Sequence, residues 1–164
     1  MNNNAELHIP CIIRTYDFIH NKNRYLIAKR SDNRELFPGK WEFGAAKPKE
    51  DESFVDAIKR EYKEDFNITD IIFDIDMLGY ISPLAIYEGK RIYDLYSKIE
   101  DQKEIIYKGI IFSGRLANDP NDIIVTNKHS EYKLLTSNEI FELQPWNCVP
   151  GLLDHIMMME KSLK

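Results

Sequence analysis

The apolar residues of segment 53–66 recur with the period of a helix. Ser53 suits the N-cap, Asp56 suits the positive end of the helix dipole, and Asn67 suits a left-handed C-terminal cap. Four large apolar side chains stand four positions apart and form one stripe: Phe54, Ile58, Tyr62 and Phe66. The pattern therefore predicts a helix over 53–66 with one buried face.

Shorter runs rich in β-branched and aromatic residues predict strands on both sides of this helix. They lie at 9–19, 25–28, 41–43, 71–81, 90–99, 104–116 and 132–135. Turn residues separate them, at 21–23, 38–39, 88–89 and 119–122. Two further helices are predicted at 137–143 and 150–162, the second with Pro150 at or near its first position. Strands with a few helices inserted among them predict a mixed α/β sandwich.

The length and charge of the chain narrow the choice of function. A chain of 164 residues fits one domain over 1–164, and 43% hydrophobic with 30% charged residues is a globular composition. The net charge is -5, so no overall positive field attracts a nucleic-acid polymer. A polyphosphate ligand would therefore be held by local basic residues or by a metal ion.

The cysteines and the N-terminus give no sign of secretion or of a membrane. Cys11 and Cys148 are the two cysteines, in unrelated contexts, which predicts free thiols rather than disulfides or a zinc site. The first residues are polar, and no run approaches the roughly 18 apolar residues of a membrane span. A cytosolic location is the expectation, and the oligomeric state stays open, a homodimer included.

Three acids of the predicted helix share one side. Glu61, Glu64 and Asp65 stand at i, i+3 and i+4. On a helical wheel Glu61 and Asp65 fall at the border of the apolar stripe, and Lys59 and Lys63 lie opposite. Carboxylates crowded beside a core repel each other and resist desolvation unless a positive charge joins them. Mg²⁺ prefers carboxylate oxygens, water and substrate phosphates, so this cluster predicts a site that clamps a pyrophosphate.

The segment 46–68 and the preceding WEF motif resemble the Nudix family. The Nudix box is written G-x5-E-x7-R-E-U-x-E-E-x-G-U, with U bulky and apolar, and the segment fits it without a gap. The matching residues are Glu52, Arg60, Glu61, Tyr62, Glu64 and Ile68. This resemblance implies an α/β/α sandwich with a mixed β-sheet.

Three positions depart from the box. Ala46 replaces the first Gly and would cost about 1–2 kcal/mol if its φ were positive. Asp65 replaces the last Glu, which keeps the charge but shortens the reach by one methylene. Asn67 replaces the second Gly, a mild change because Asn tolerates the left-handed region.

By resemblance, the chain is a Mg²⁺-dependent hydrolase, with Mn²⁺ as an alternative cofactor. The substrate would be a small nucleotide, either a nucleoside diphosphate linked to another moiety or a nucleoside triphosphate, with water attacking phosphorus. The metal would be held by Glu61, Glu64, Asp65 and the Ala46 carbonyl. Glu61 would also deprotonate or orient the water, while Arg60, paired with Glu52, would hold the acids. Glu131 would be a further acid of the site. Arg30 and Lys47 would contact the substrate phosphates.

Other hypotheses about the same residues stay open. The departures at Ala46 and Asp65 are also what a Nudix-like binding or regulatory domain without turnover would show. A third hypothesis is an isomerase of an isoprenoid diphosphate, which no residue outside the Nudix box supports. Among the remaining candidates, Tyr80, Tyr96 and Trp146 are expected in the core rather than in a base-stacking platform, and His129 is expected to be structural or exposed.

Overall fold

Helices cover both faces of a mixed β-sheet. The structure is a computed structural model that describes residues 6–94 and 102–164. The strands are β1 Glu6–Asp17, β2 Lys22–Arg30, β3 Trp41–Glu42, β4 Ala45–Ala46, β5 Ile71–Phe73, β6 Ala85–Asp94, β7 Gln102–Leu116 and β8 His129–Leu135. The helices are α1 Phe54–Phe66, α2 Ser137–Phe141 and α3 Leu152–Ser162. The α/β/α sandwich implied by the sequence is confirmed.

The centre of the sheet is a parallel pair of strands. β1 runs parallel to β7, with Cys11 opposite Phe112, in the strand order β3-β2-β1-β7-β5. The other pairings are antiparallel: β1 with β2 and β4, β2 with β3 and β8, and β7 with β5 and β6. This arrangement makes the sheet mixed, as predicted.

Alternate residues of the central strands contribute their side chains to two separate hydrophobic cores. Because side chains alternate across a strand, Cys11 and Ile13 of β1 pack toward α1, whereas Ile12 packs on the other face. The α1 side is completed by Ala57, Ile58, Tyr62 and Phe66. The opposite side is completed by Ile140 of α2 and by Leu152, Ile156 and Met159 of α3. The helices therefore lie on opposite faces of the sheet.

The predicted ends of α1 are confirmed. Ser53 is the N-cap, and its hydroxyl accepts a hydrogen bond from the Asp56 backbone N–H at 3.1 Å. Asn67 adopts the left-handed conformation with φ 56°, and its N–H donates to carbonyls of the last turn. Asn thus performs the capping role that Gly has in the box.

Two strand predictions and one turn prediction need correction. The predicted strand 71–81 is a strand only over Ile71–Phe73, because Asp76 then accepts hydrogen bonds from the backbone N–H groups of Leu78 and Tyr80 and closes a turn. The turn predicted at 88–89 lies inside β6, where pairing with β7 overrides the local preference for a turn. The strand predicted at 90–99 starts earlier, at Ala85, and its residues 95–99 lie outside the described range.

The structure also tests several smaller predictions, with mixed outcomes. Cys11 and Cys148 are free and buried. Tyr80 and Trp146 are exposed, so their assignment to the core was wrong, and Tyr96 lies outside the described residues. α3 begins at Leu152, after Gly151, so Pro150 precedes the helix. Among the described residues, none of the helices has the length and hydrophobicity that a membrane-spanning helix needs.

Candidate active site on helix α1

The acids of α1 lie at the edge of the core, as the helical wheel predicts. The side chains of Glu61 and Asp65 are only 15% and 10% exposed, whereas that of Glu64 is 55% exposed. The first two border the same apolar stripe that packs on β1. The helix therefore brings two carboxylates into a partly desolvated position and leaves the third beside them in solvent.

Arg60 connects these acids to the loop that precedes α1. Its Nε and Nη2 donate to the two carboxylate oxygens of Glu52 at 2.8 and 2.9 Å, and its Nη1 donates to Glu61 at 3.0 Å. Nη2 also donates to the Lys47 carbonyl at 2.9 Å. The hydrogen bonds from Arg60 lower the pKa of Glu52 to about 2. The predicted pairing of Arg60 with Glu52 is thus present in the structure.

A lysine that the sequence did not single out lies between two of the acids. The ammonium of Lys128, just before β8, is 2.9 Å from Asp65 Oδ1 and 3.2 Å from Glu61 Oε2. Partial burial alone would lower the pKa of Lys128, but its hydrogen bonds and charge attraction with Asp65 and Glu61 outweigh burial and raise it. The acids of α1 are therefore neutralised from two sides, by Arg60 and by Lys128.

A buried tyrosine of α1 anchors the segment that carries Ala46. The hydroxyl oxygen of Tyr62 accepts from the Cys11 N–H at 3.1 Å and lies 3.0 Å from the Phe43 carbonyl and 3.2 Å from the Gly44 carbonyl. Gly44 has φ 85°, and a Cβ there would come within 3.0 Å of the Phe66 ring. Ala46 itself is buried on β4 and has no positive φ, so the strain considered for this position does not arise.

A cavity of about 230 Å³ opens beside Asp65 and Lys128. Its basic lining residues are Arg30, Arg34 and Lys47, besides Lys128. Its aromatic and imidazole lining includes His8, Phe37, Phe43, Tyr87 and His155. The rings of Tyr87 and His155 lie 5.3 Å apart, and burial lowers the pKa of His155 below its ordinary value. The cavity thus combines positive charge near the carboxylates with flat, largely uncharged walls.

Arg30, predicted to contact substrate, is held in the cavity wall by other residues. Its Nη1 donates to Glu42 at 2.8 Å and its Nε to the Leu36 carbonyl at 2.8 Å. Glu42 also shares a 2.7 Å hydrogen bond with Nε2 of His129. Burial alone would raise the pKa of Glu42, but His129 and Arg30 outweigh it and lower the pKa.

His129 is buried, so of the two alternatives predicted for it, structural or exposed, the exposed one is wrong. It stacks on Phe66 at 5.0 Å, and its Nδ1 has no hydrogen-bond partner within the described part of the chain. The sequence offered no spacing signal for the contact between Glu42 and His129, because the two residues are 87 positions apart.

Glu131 is not brought to the carboxylate cluster. It lies on β8 opposite Lys29 of β2, and its carboxylate is 3.6 Å from the Lys29 ammonium. The alternation of β8 explains this placement, because Tyr132 and Leu134 of the same strand pack toward α1. The structure therefore gives no support to Glu131 as a further catalytic acid, and the residue of this region that reaches the acids is Lys128.

The donor chemistry of the cluster fits a hard divalent cation. Glu61 and Asp65 converge on a single positive group, the Lys128 ammonium, and carboxylate oxygens are the ligands that Mg²⁺ prefers. Within residues 6–94 and 102–164, no three acidic, imidazole or thiol side chains converge on one point. Glu64 is instead 3.9 Å from Arg60, so binding of a divalent ion by all three acids would require Glu64 and Lys128 to move.

Comparison with known proteins identifies the family of this chain. A NUDIX domain model matches residues 15–151, which is most of the chain. The chain belongs to the Nudix family. It is accordingly a Nudix pyrophosphohydrolase, and helix α1 lies within the matched residues.

Individual relatives agree with this family assignment. The nucleoside triphosphatase NudI of Salmonella typhimurium is 27% identical over 122 residues, covering 74% of this chain and 79% of that protein. A MutT protein from Methanosarcina mazei has the same fold, with a TM-score of 0.69, 19% identity and coverage of 100% and 99%. An Ap4A hydrolase from C. elegans gives a TM-score of 0.66, 16% identity and coverage of 97% and 98%.

Proposed function

We propose that this Nudix enzyme hydrolyses a phosphoanhydride bond of a small nucleotide, either a nucleoside triphosphate or a nucleoside diphosphate linked to another moiety, with Mg²⁺ or Mn²⁺ as cofactor. One observation carries the proposal. Glu61 and Asp65 converge on one positive group, the Lys128 ammonium, at the edge of a cavity with a basic lining. Such a cavity attracts a polyphosphate, and the acids beside it suit the metal that accompanies one.

The cavity walls favour a nucleotide over inorganic polyphosphate. Tyr87, His155 and Phe37 offer flat faces on which a base can stack, while Arg34 and Lys47 lie in the same lining and suit phosphates. Two of the relatives agree with this preference, since one is a nucleoside triphosphatase and another an Ap4A hydrolase. The choice between triphosphates and diphosphate conjugates is what the experiment below resolves.

The acids of α1 have distinct roles in this proposal. Glu61, Glu64, Asp65 and the Ala46 carbonyl would hold the metal, which supplies charge neutralisation for the phosphates when it is bound. Glu61 orients the attacking water and accepts its proton. Arg60 acts as a positioning residue, because its guanidinium donates to Glu52 at 2.8 Å and to Glu61 at 3.0 Å.

A substrate panel tests the proposal. Nucleoside triphosphates, dinucleoside polyphosphates, nucleotide sugars and oxidised nucleotides are incubated with Mg²⁺ or Mn²⁺, and released phosphate or pyrophosphate is measured. We expect turnover of at least one class, and we expect Glu64→Gln to lower kcat by more than about tenfold, the effect typical of weakening a metal site.

The matched control is Glu50→Gln, which removes the same charge from the exposed loop before α1. It should leave kcat unchanged. Turnover of no compound on the panel, or equal activity of Glu64→Gln and the wild type, would refute the proposed reaction and favour a binding domain.

A further inference from the structure

The ammonium of Lys128 lies where the proposed function requires a metal ion. It contacts Asp65 at 2.9 Å and Glu61 at 3.2 Å, and these are two of the acids that would bind the divalent cation. Two positive charges cannot share the same pair of carboxylates at contact distance without strong repulsion. The ammonium and a divalent ion bound to the same two oxygens, Asp65 Oδ1 and Glu61 Oε2, therefore oppose each other's binding.

The backbone of the preceding loop brings Lys128 to this position. The N–H groups of Ile124 and Thr126 donate to the carbonyls of Phe66 and Asp65, at 3.1 and 3.2 Å, at the C-terminal end of α1. On the other side, the Lys128 carbonyl accepts from the Ser31 N–H at 3.0 Å. With the loop held on two sides, the contact of Lys128 with the acids is built into the fold.

The surroundings offer the ammonium a second set of anions. Lys128 lines the same cavity as Arg34 and Lys47, and its side chain is 41% exposed. A lysine side chain has a flexible four-carbon stem, so the ammonium can turn from the acids toward the cavity while the backbone stays in place. Phosphates bound in the cavity would receive it there.

We propose that Lys128 is a built-in competitor of the divalent cation for Glu61 and Asp65, and that its ammonium passes to the substrate phosphates when the cation binds. This inference rests on the proposed function. Its consequence is thermodynamic coupling: phosphates that attract Lys128 free the acids for metal, and by reciprocity metal frees Lys128 for phosphates. The protein therefore binds metal weakly alone and more tightly together with substrate.

A pair of lysine variants tests the competition. Lys128→Met and Lys63→Met each remove one positive charge, but Lys63 lies on the exposed side of α1. Calorimetric titration with MnCl₂ in the absence of nucleotide should show about tenfold tighter binding by Lys128→Met, as expected when a cation at contact distance is removed from a partly exposed site. Lys63→Met should bind Mn²⁺ like the wild type.

A second titration tests the transfer to phosphate. At saturating Mn²⁺, imidodiphosphate, a pyrophosphate analogue that resists hydrolysis, should bind Lys128→Met about tenfold more weakly than wild type, because one charge-assisted contact is lost. The two substitution effects thus have opposite signs, whereas a variant that merely unfolded would weaken both. Circular dichroism checks that each variant is folded.

The remaining outcomes separate this inference from the function it rests on. Adding Glu61→Gln to Lys128→Met should abolish the tighter Mn²⁺ binding, which assigns that binding to α1. Equal or weaker Mn²⁺ binding by Lys128→Met overturns the competition while leaving the proposed reaction standing. Unchanged imidodiphosphate affinity overturns the transfer to phosphate. No Mn²⁺ uptake by any variant refutes the proposed metal site, and the competition with it.

Discussion

Glu52 is the residue whose ionisation most directly reports the integrity of the site. Its two carboxylate oxygens both accept hydrogen bonds from Arg60, and these hydrogen bonds lower its pKa to about 2. A carboxyl group with a lowered pKa stabilises the folded state above its ordinary pKa, and the stabilisation is lost as the pH falls through the folded-state value. For Glu52 this window lies between its ordinary value of 4.5 and about 2.

We predict that Glu52→Gln lowers the free energy of unfolding by an amount that is constant above about pH 5 and that shrinks between pH 4.5 and about 2. Urea denaturation of the wild type and of Glu52→Gln across this range measures the difference in their free energies of unfolding. The other acids titrate in both proteins, so their contribution cancels in this difference. Glu50→Gln serves as the control for a loop carboxylate. A difference that stays the same down to pH 2 would contradict the role of Glu52.

At the same scale, Gly109 keeps one wall of the cavity in place. A Cβ at position 109 would lie 1.8 Å from the Tyr87 ring, so the ring packs directly on the bare backbone of β7. We predict that Gly109→Ala displaces Tyr87 and raises KM for the nucleotide several-fold, with a smaller effect on kcat. Lys108→Ala, at the preceding position of β7, should change neither KM nor kcat. An unchanged KM in Gly109→Ala would exclude Tyr87 from substrate contact.

At the scale of elements, Tyr62 joins α1 to the strands beneath it. Its buried hydroxyl accepts from Cys11 of β1 and lies within 3.2 Å of three carbonyl oxygens, those of Cys11, Phe43 and Gly44, to one of which it can donate. We predict that Tyr62→Phe lowers the free energy of unfolding by about 1–3 kcal/mol, because the buried Cys11 N–H loses its partner. Chemical denaturation measures this loss. Tyr132→Phe, at a half-buried tyrosine, should cost less, and equal costs would contradict the account.

The elements also show how far the sequence could predict this fold. The helix α1 was predictable from its apolar spacing and both caps, since the signals of Ser53, Tyr62 and Asn67 are local. The turn predicted at Glu88-Gly89 failed because β6 is specified by its partner β7, which local preferences do not reveal. Local signals therefore located the helix and most strands, and failed where pairing decides.

At the scale of the whole molecule, the site combines residues that are distant in sequence. The shared side of Glu61, Glu64 and Asp65 was predictable because the three residues stand within one helical turn. Lys128 was not, since it lies 67 positions from Glu61 and its contact depends on the loop between β7 and β8 docking on α1. Glu131 was chosen from the same region, but strand alternation places it beside Lys29. The sequence thus placed three acids on one side of α1, and the three-dimensional fold showed the ammonium that contacts two of them.

The most direct test of the account is hydrolysis in ¹⁸O-labelled water, with Mg²⁺ and the best substrate of the panel, by wild type and Glu61→Gln. The account predicts that one ¹⁸O appears on a phosphoryl product, because water attacks phosphorus. It also predicts that Glu61→Gln slows incorporation by about a thousandfold, within the range typical of losing a general base. A product without label on phosphorus, or an undiminished rate in Glu61→Gln, would contradict the claim that the acids of α1 carry out the reaction.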